Sequence, residues 1–514
     1  MTVEESAKLV KRVAELEKLV KFYEEQFRLA QHRRFGASSE KSKYDGESAQ
    51  ISFFNEAEAT ADDNVVEPEL VEIARHYRKQ KRTAEDRLPD DLPVEVIEHD
   101  LSESERICPE CDGKLHVMGR ETRRELKIVP AKCVIVEHVR KVYACRDCER
   151  DAYGVPIIKA PIDNPVIKGS FASPEAVAHI MCQKFVMAVP LYRQEQDWNR
   201  RGINLSRQTM GNWLLRATED WLAPIYEGLR EILCMQKVLH GDETTLQVLR
   251  EPGKSPQSKS YMWLYRTSGC ANNPIVLFEY QPNRRAKHPE EFLKKFTGYL
   301  HADGYEGYHR LSENITVVGC FAHARRKWDE ALKGLSEKEQ EGSDALIGKR
   351  YCDKLFALER AFTDLSPQER HEKRLEKSKP VLDAFHKWLE SLDRPNKTAL
   401  GKAIGYNLAQ WKYLIRYLDD GRLEISNNRA ERSIKPFVIS RKNFLFANTP
   451  RGAKASAIMF SLIETAKGNG LDPFAYLSYI FNRAPNLDIH NNPDYLDLLL
   501  PWSVPDFCKA QATA

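Results

Sequence analysis

The sequence predicts a mixed α/β core interrupted by an all-helical insertion, preceded by a coiled-coil helix, a small cysteine-bearing module and a helical module. Three observations predict it. Between Lys237 and Gly319 five short apolar runs read as strands, three in succession and then strand, helix, strand. From about Phe321 to Asp420 the pattern changes to charged helices. Ahead of the core, apolar residues fall at coiled-coil spacing, and two CxxC pairs lie in a strand-rich stretch.

In chain order, Leu9, Val13, Leu16, Val20, Tyr23 and Phe27 alternate four- and three-residue steps, the a/d seam of a coiled coil. Under three heptads is short for a free coil, so one helix packed on its own protein is the plainer alternative; a dimerisation helix is preferred. Segment 1–42 closes with a basic, turn-rich stretch from Gln31 to Ser42, where Gly36 and the serines stop the helix. Segment 43–93 is polar, acidic around Glu56 to Asp63 and then basic, and is expected to be a partly disordered linker. Segment 94–162 turns to short strands, such as Cys133 to Tyr143, with Cys133 expected in its core. Segment 163–235 reads as helical, with Ser173 capping a helix that opens on Pro174. Within it, Gly202 to Ser206 leads into Arg207 to Leu215, a turn and capped helix like the second half of a helix-turn-helix.

The core strands are expected at Lys237–Asp242, Tyr261–Tyr265, Pro274–Tyr280, Tyr299–Asp303 and Ile315–Gly319, with helical stretches at Pro289–Phe296 and Tyr305–Leu311. Their succession is that of a mixed five-stranded sheet of the ribonuclease H type. The first part of the core covers 236–334 and the helical insertion 335–422. The α/β character is expected to resume near Leu423, giving a second core part over 423–470 and a C-terminal segment over 471–514.

Composition narrows the functional classes. The 514 residues suffice for three or four domains, and 30% charged with 10% aromatic residues excludes a wholly disordered chain. Apolar runs fall far short of the ~20 residues of a membrane span. The start, Met1 to Arg12, is charged and lacks the apolar stretch of a signal peptide, so a reducing cytoplasm is expected. Eleven cysteines, an odd number with two CxxC pairs, then read as metal ligands plus core thiols. The net charge of +3 conceals basic clusters. Arg75 to Arg82 holds five Lys/Arg and no acid, and Glu431 to Lys454 holds six against one acid. A polyanion would see such clusters, although each alone reads equally well as a solvated face.

Cys108 and Cys111 form one CxxC knuckle and Cys145 and Cys148 the other, separated by 33 residues. Four thiolates satisfy tetrahedral Zn²⁺ and leave no open position, so this zinc would be structural. Two carboxylates carry the chemistry instead. Asp242 and Asp303 each end an expected strand. Either alone would be an ordinary turn former, but on neighbouring strands ~4.8 Å apart they could share divalent cations. A third acid must come from elsewhere. Glu431, in Asn427 to Pro436, is the best candidate, with Glu424 and Glu464 as competitors. Its structural alternative is a capping box, with Asn428 as N-cap and Glu431 at N3.

The segments His240 to Thr244, His301 to Tyr305, Cys320 to Trp328 and Asn427 to Pro436 resemble those of bacterial insertion-sequence transposases, specifically the family numbered sixty-six. Arg33 to Lys41, the cysteine module and Arg441 to Phe446 extend the resemblance over nearly the whole chain. It implies an Asp-Asp-Glu transposase with Asp242, Asp303 and Glu431 as catalytic triad. These would hold two Mg²⁺ ions, for which Mn²⁺ substitutes, and the enzyme would cleave and rejoin DNA strands at the ends of an insertion sequence. The 127 residues between Asp303 and Glu431 would contain the insertion that the family carries. Double-stranded DNA is the implied partner, together with a second copy of the chain and small companion proteins. Arg33, Arg34, Arg207, Arg325, Arg326, Arg432, Lys435, Arg441 and Lys442 are the candidate DNA contacts. His240, His301 and His323 are read as structural or DNA-contacting residues before metal ligands. The alternatives are a structure-selective nuclease of the same fold and a non-catalytic DNA-binding regulator.

Overall fold

The computed structural model describes residues 3–35, 133–144, 157–393, 398–489 and 491–510. It divides into two compact units, 1–45 with 163–510, and 46–162 with 511–514. In the smaller unit, β1 (Val142–Ala144) pairs antiparallel with β2 (Ile157–Lys159). The strand expected from Cys133 to Tyr143 is reduced to its last residues, and residues 133–141 run without regular structure. Cys133 is exposed there, not in a core, beside the exposed Val134 and Ile135. Cys108, Cys111, Cys145 and Cys148, and the linker 43–93, lie outside the described residues.

The larger unit opens with α1 (Val3–Phe35), longer than the seam that predicts it. Four helices follow: α2 (Pro174–Phe185), α3 (Leu191–Arg200), α4 (Arg207–Ala217) and α5 (Ala223–Cys234). Ser173 and Ser206 accept hydrogen bonds from Ala176 N–H and Thr209 N–H, so side-chain caps fix the starts of α2 and α4. The buried side chains of these helices join the core of the sheet.

The sheet comprises β3 (Val238–Gln247), β4 (Lys259–Thr267), β5 (Val276–Gln281), β6 (Gly298–His301) and β7 (Ile315–Val318), with α6 (Lys287–Phe292) between β5 and β6. Its order is β5-β4-β3-β6-β7. The first three strands are antiparallel neighbours, while β6 and β7 run parallel to β3. The helix expected at Tyr305–Leu311 is a single 3₁₀ turn, Tyr308–Arg310.

A helical block follows, with α7 (Phe321–Lys333), α8 (Asp344–Ala361), α9 (Lys379–Ser391) and α10 (Ala399–Leu414) as its main helices. Trp328, Phe385 and Tyr417 anchor its separate core, which reaches the sheet through Val238 and Val318. Beyond Leu423 the chain does not return to strands. It forms α11 (Asn428–Phe444), α12 (Pro450–Gly468) and α13 (Pro473–Arg483). The apolar run at Ala457–Leu462 covers the sheet as part of α12. Ser461 and Thr465 on α12 accept the N–H groups of Phe278 and Val276, satisfying the outer edge of β5 without another strand. Among the described residues no helix is long and apolar enough to cross a membrane.

Candidate active site

Strand register brings the first two acids together. His240 pairs with His301 across the parallel β3/β6 ladder, so Asp242 and Asp303 each stand two residues beyond the last matched pair, at the carboxyl end of the β3/β6 pairing. Strand β3 does not stop at Asp242 as expected but runs on to Gln247 in its ladder with β4. Asp242 Oδ1 accepts Glu243 N–H at 3.0 Å, and Asp303 Oδ1 accepts Tyr305 N–H at 3.0 Å. Arg284 reaches both strand ends. It donates to Glu243, lies 3.8 Å from Asp303 Oδ2, and stacks on the Tyr305 ring at 3.9 Å.

Glu243 is a carboxylate the sequence reading missed. Its side chain is 3% exposed and accepts the Tyr308 hydroxyl at 2.8 Å. Burial pushes its carboxyl well above the usual range, aided by the charges of Asp303 and Asp242 and opposed by Arg284 and the Tyr308 bond. Two acids, Glu243 and Asp303, thus share one guanidinium. Simple alternation sends Glu243 to the opposite face of β3 from Asp242, which gave sequence reasoning no ground to group them.

The third acid arrives through a different device. Asn427, 1% exposed, takes the N-cap position of α11 that was expected of Asn428, and its side chain caps nothing. Its Oδ1 instead lies 3.0 Å from His240 Nδ1, its Nδ2 donates to Gly241 O at 2.8 Å, and its N–H donates to Cys320 Sγ at 3.1 Å. The start of α11 is therefore fastened to the residues immediately before Asp242. Glu431 stands one residue past N3, so the capping-box alternative lacks its geometry. Its carboxylate faces His323 Nε2 at 3.5 Å and Arg326 at 3.4 Å on α7. The insertion secures the returning chain: buried Arg374 pairs with Glu359 and donates to the carbonyls of Tyr417, Asp420 and Leu423.

Beneath the acids, His240 and His301 stack at 4.5 Å, both fully buried. Burial lowers His240 to about 3 against the raising effect of Asn427, and burial followed by the His240 charge lowers His301 well below the ordinary value. Both imidazoles are neutral, and His301 Nε2 accepts Glu424 N–H at 3.1 Å. The competing acids have other partners: Glu424 pairs with Arg429 at 2.6 Å and Glu464 with Lys467 at 2.7 Å. Cys320, the N-cap of α7, is 1% exposed, and burial raises its thiol to about 11 against three backbone N–H groups that favour the thiolate.

The candidate DNA contacts divide by environment. Arg432, Lys435 and Lys442 are exposed on α11 at steps of three and seven residues, which puts them on one face. Arg207 is exposed at the start of α4, over the Tyr192 ring at 5.6 Å. Arg325 pairs with Asp353, and Arg326 stands beside Glu431. Arg441 is 6% exposed and bonds Thr244 and Thr245, bracing α11 against β3. Arg33 and Arg34 lie on α1, with side chains outside the described residues.

Together these features define an α/β protein with Asp242, Glu243 and Asp303 near the end of the β3/β6 pairing and a basic helix tied to β3 through Asn427. Comparison with known proteins identifies the class as transposases. Residues 169–455 match the family described as "Transposase IS66 family", 105–149 the "zinc-finger binding domain of transposase IS66", 23–97 "Transposase C of IS166 homeodomain" and 461–502 the "IS66 C-terminal element". The chain belongs to the IS66 family of transposases. Among its relatives are uncharacterized proteins of Sinorhizobium fredii. One, y4jD, is 34% identical over 81% of each chain; another, y4qI, is 31% identical over 98% of this chain and 90% of its own.

Proposed function

We propose that this transposase cleaves DNA at the ends of its insertion sequence and joins the freed 3′-hydroxyl to target DNA, using Asp242, Asp303 and Glu431. One observation carries the reading. The β3/β6 register aligns two acids, and Asn427 ties the helix bearing the third to the strand end carrying the first. The sheet order, three antiparallel strands followed by two parallel ones, supports a ribonuclease H-like core.

The donor set fits a hard divalent cation. Asp242, Asp303 and Glu431 offer only carboxylate oxygens, the ligands a hard divalent cation prefers. When bound, Mg²⁺, or Mn²⁺ in its place, would activate the attacking oxygen and stabilise the leaving one. The chain's own residues do the rest. Arg284 restrains Asp303 and Glu243, His323 and Arg326 orient Glu431, and Arg432, Lys435 and Lys442 offer a cationic strip to phosphates without reading bases. In the zinc-finger segment, Cys108, Cys111, Cys145 and Cys148 would hold a structural Zn²⁺. Val13, Leu16, Val20, Tyr23 and Phe27 are exposed along α1 and supply a seam for a second copy, suiting a reaction on two DNA ends.

The test is nicking and strand transfer on duplex DNA carrying the element's ends, with Mg²⁺ present and withheld. Asp242→Asn and Asp303→Asn should each lower both reactions by orders of magnitude while DNA binding persists. Normal cleavage by both variants would place the catalytic site elsewhere.

A further inference from the structure

Glu431 belongs to a second group of donors with different chemistry. Cys320 Sγ, a His323 ring nitrogen and a Glu431 carboxylate oxygen all lie within 4.8 Å of one another. They come from the first turns of two helices, α7 and α11, which the Asn427–Cys320 bond holds together. The Cys320 sulfur accepts Asn427 N–H at 3.1 Å. That bond fixes the sulfur beside His323 and Glu431, where a bound metal ion would take it as thiolate. His323 and Glu431 side chains are each 17% exposed, leaving an approach from solvent.

A hard ion does not choose a thiolate. Sulfur, imidazole and carboxylate together suit a borderline-soft ion, and Zn²⁺ takes this set tetrahedrally. We propose that Cys320, His323 and Glu431 bind one Zn²⁺ ion, separate from the zinc-finger segment, and that this ion withdraws Glu431 from the oxygen-ligand site. Binding releases the thiol proton to solvent and leaves a fourth position for water or a phosphate oxygen. The binding claim stands on this geometry alone. The inhibitory consequence rests also on the proposed role of Glu431.

The test uses the full-length chain, equilibrated with Zn²⁺ at buffered free concentrations and analysed for zinc per chain. Wild type should hold one zinc more than Cys320→Ser or His323→Ala, with affinity for that ion falling about tenfold or more in each variant. Thermal melting of each variant confirms that a lost zinc is not lost folding. Equal zinc content in wild type and both folded variants would overturn the site. In the same preparations, Zn²⁺ added to Mg²⁺-dependent nicking should slow wild type more than Cys320→Ser. A zinc difference with equally sensitive nicking would overturn the inhibitory claim. If wild type does not nick with Mg²⁺ at all, the proposed function fails, and the zinc count still decides the site.

Discussion

Two ends of one site are built in contrasting ways. Asp242, Glu243 and Asp303 lie where the β3/β6 pairing ends and are all-oxygen donors, and Glu243 and Asp303 share the Arg284 cation. Glu431 sits on a helix between His323 and Arg326, with a buried sulfur nearby. The first group is fixed by backbone register, which any strand of the right length supplies. The second is fixed by side chains, chiefly Asn427 and Arg374, that tie the returning chain to the sheet. A site assembled across an insertion depends on such ties, and they are where it should break most easily.

The largest expected effect on folding follows from that contrast. Asn427→Ala removes the partners of His240 Nδ1 and Gly241 O, two buried polar groups. Stability should fall by about 2–6 kcal/mol, from roughly 1–3 kcal/mol for each of the two orphaned groups. Nicking should fall with it, because the start of α11 loses its tie to β3. The Arg284 and Tyr308 bonds to Glu243 make no use of Asn427, so only the helix end is disturbed. Unchanged melting would mean that the side chain does not secure it.

A smaller effect lies in pH. His240 and His301 are held below the ordinary histidine value of 6.5, His240 at about 3, so the unfolded chain binds more protons in that window. Their contribution to stability is present above 6.5 and lost as pH falls toward about 3, at roughly 1.4 kcal/mol per unit for each proton. His301→Gln, which retains an acceptor for Glu424 N–H, should melt with a shallower dependence on acidification. A slope identical to wild type would show that His301 does not set it.

Much of the strand-end group was legible in sequence. Apolar runs marked all five strands, but β3 was expected to stop at Asp242 and runs on to Gln247, while β6 stops at His301, two residues before Asp303. Glu431, the proposed third acid, was the best of three candidates in the residue pattern and was set apart by the family resemblance, since Asn428 and Glu431 also read as a capping box. What separates the two readings is long-range: Asn427 reaches back to His240 and Gly241, a contact that no local pattern encodes. Glu243 stayed hidden for a related reason, because its grouping with Asp303 depends on Arg284 arriving from beyond β5. The second core part expected after Leu423 meets the sheet through helices, with Ser461 and Thr465 of α12 covering the edge of β5.

The most direct test of the account compares Glu431 with its nearest competitor. Glu431→Gln keeps shape and volume but removes the charge that a hard cation requires, whereas a capping role would be served nearly as well by Gln. Nicking of terminal DNA in Mg²⁺ is measured for Glu431→Gln and Glu424→Gln together, with DNA binding and melting as controls. The account predicts loss by orders of magnitude for Glu431→Gln, with binding and folding retained, and substantial activity for Glu424→Gln. Activity retained by Glu431→Gln and abolished by Glu424→Gln would contradict it and move the third acid to Glu424.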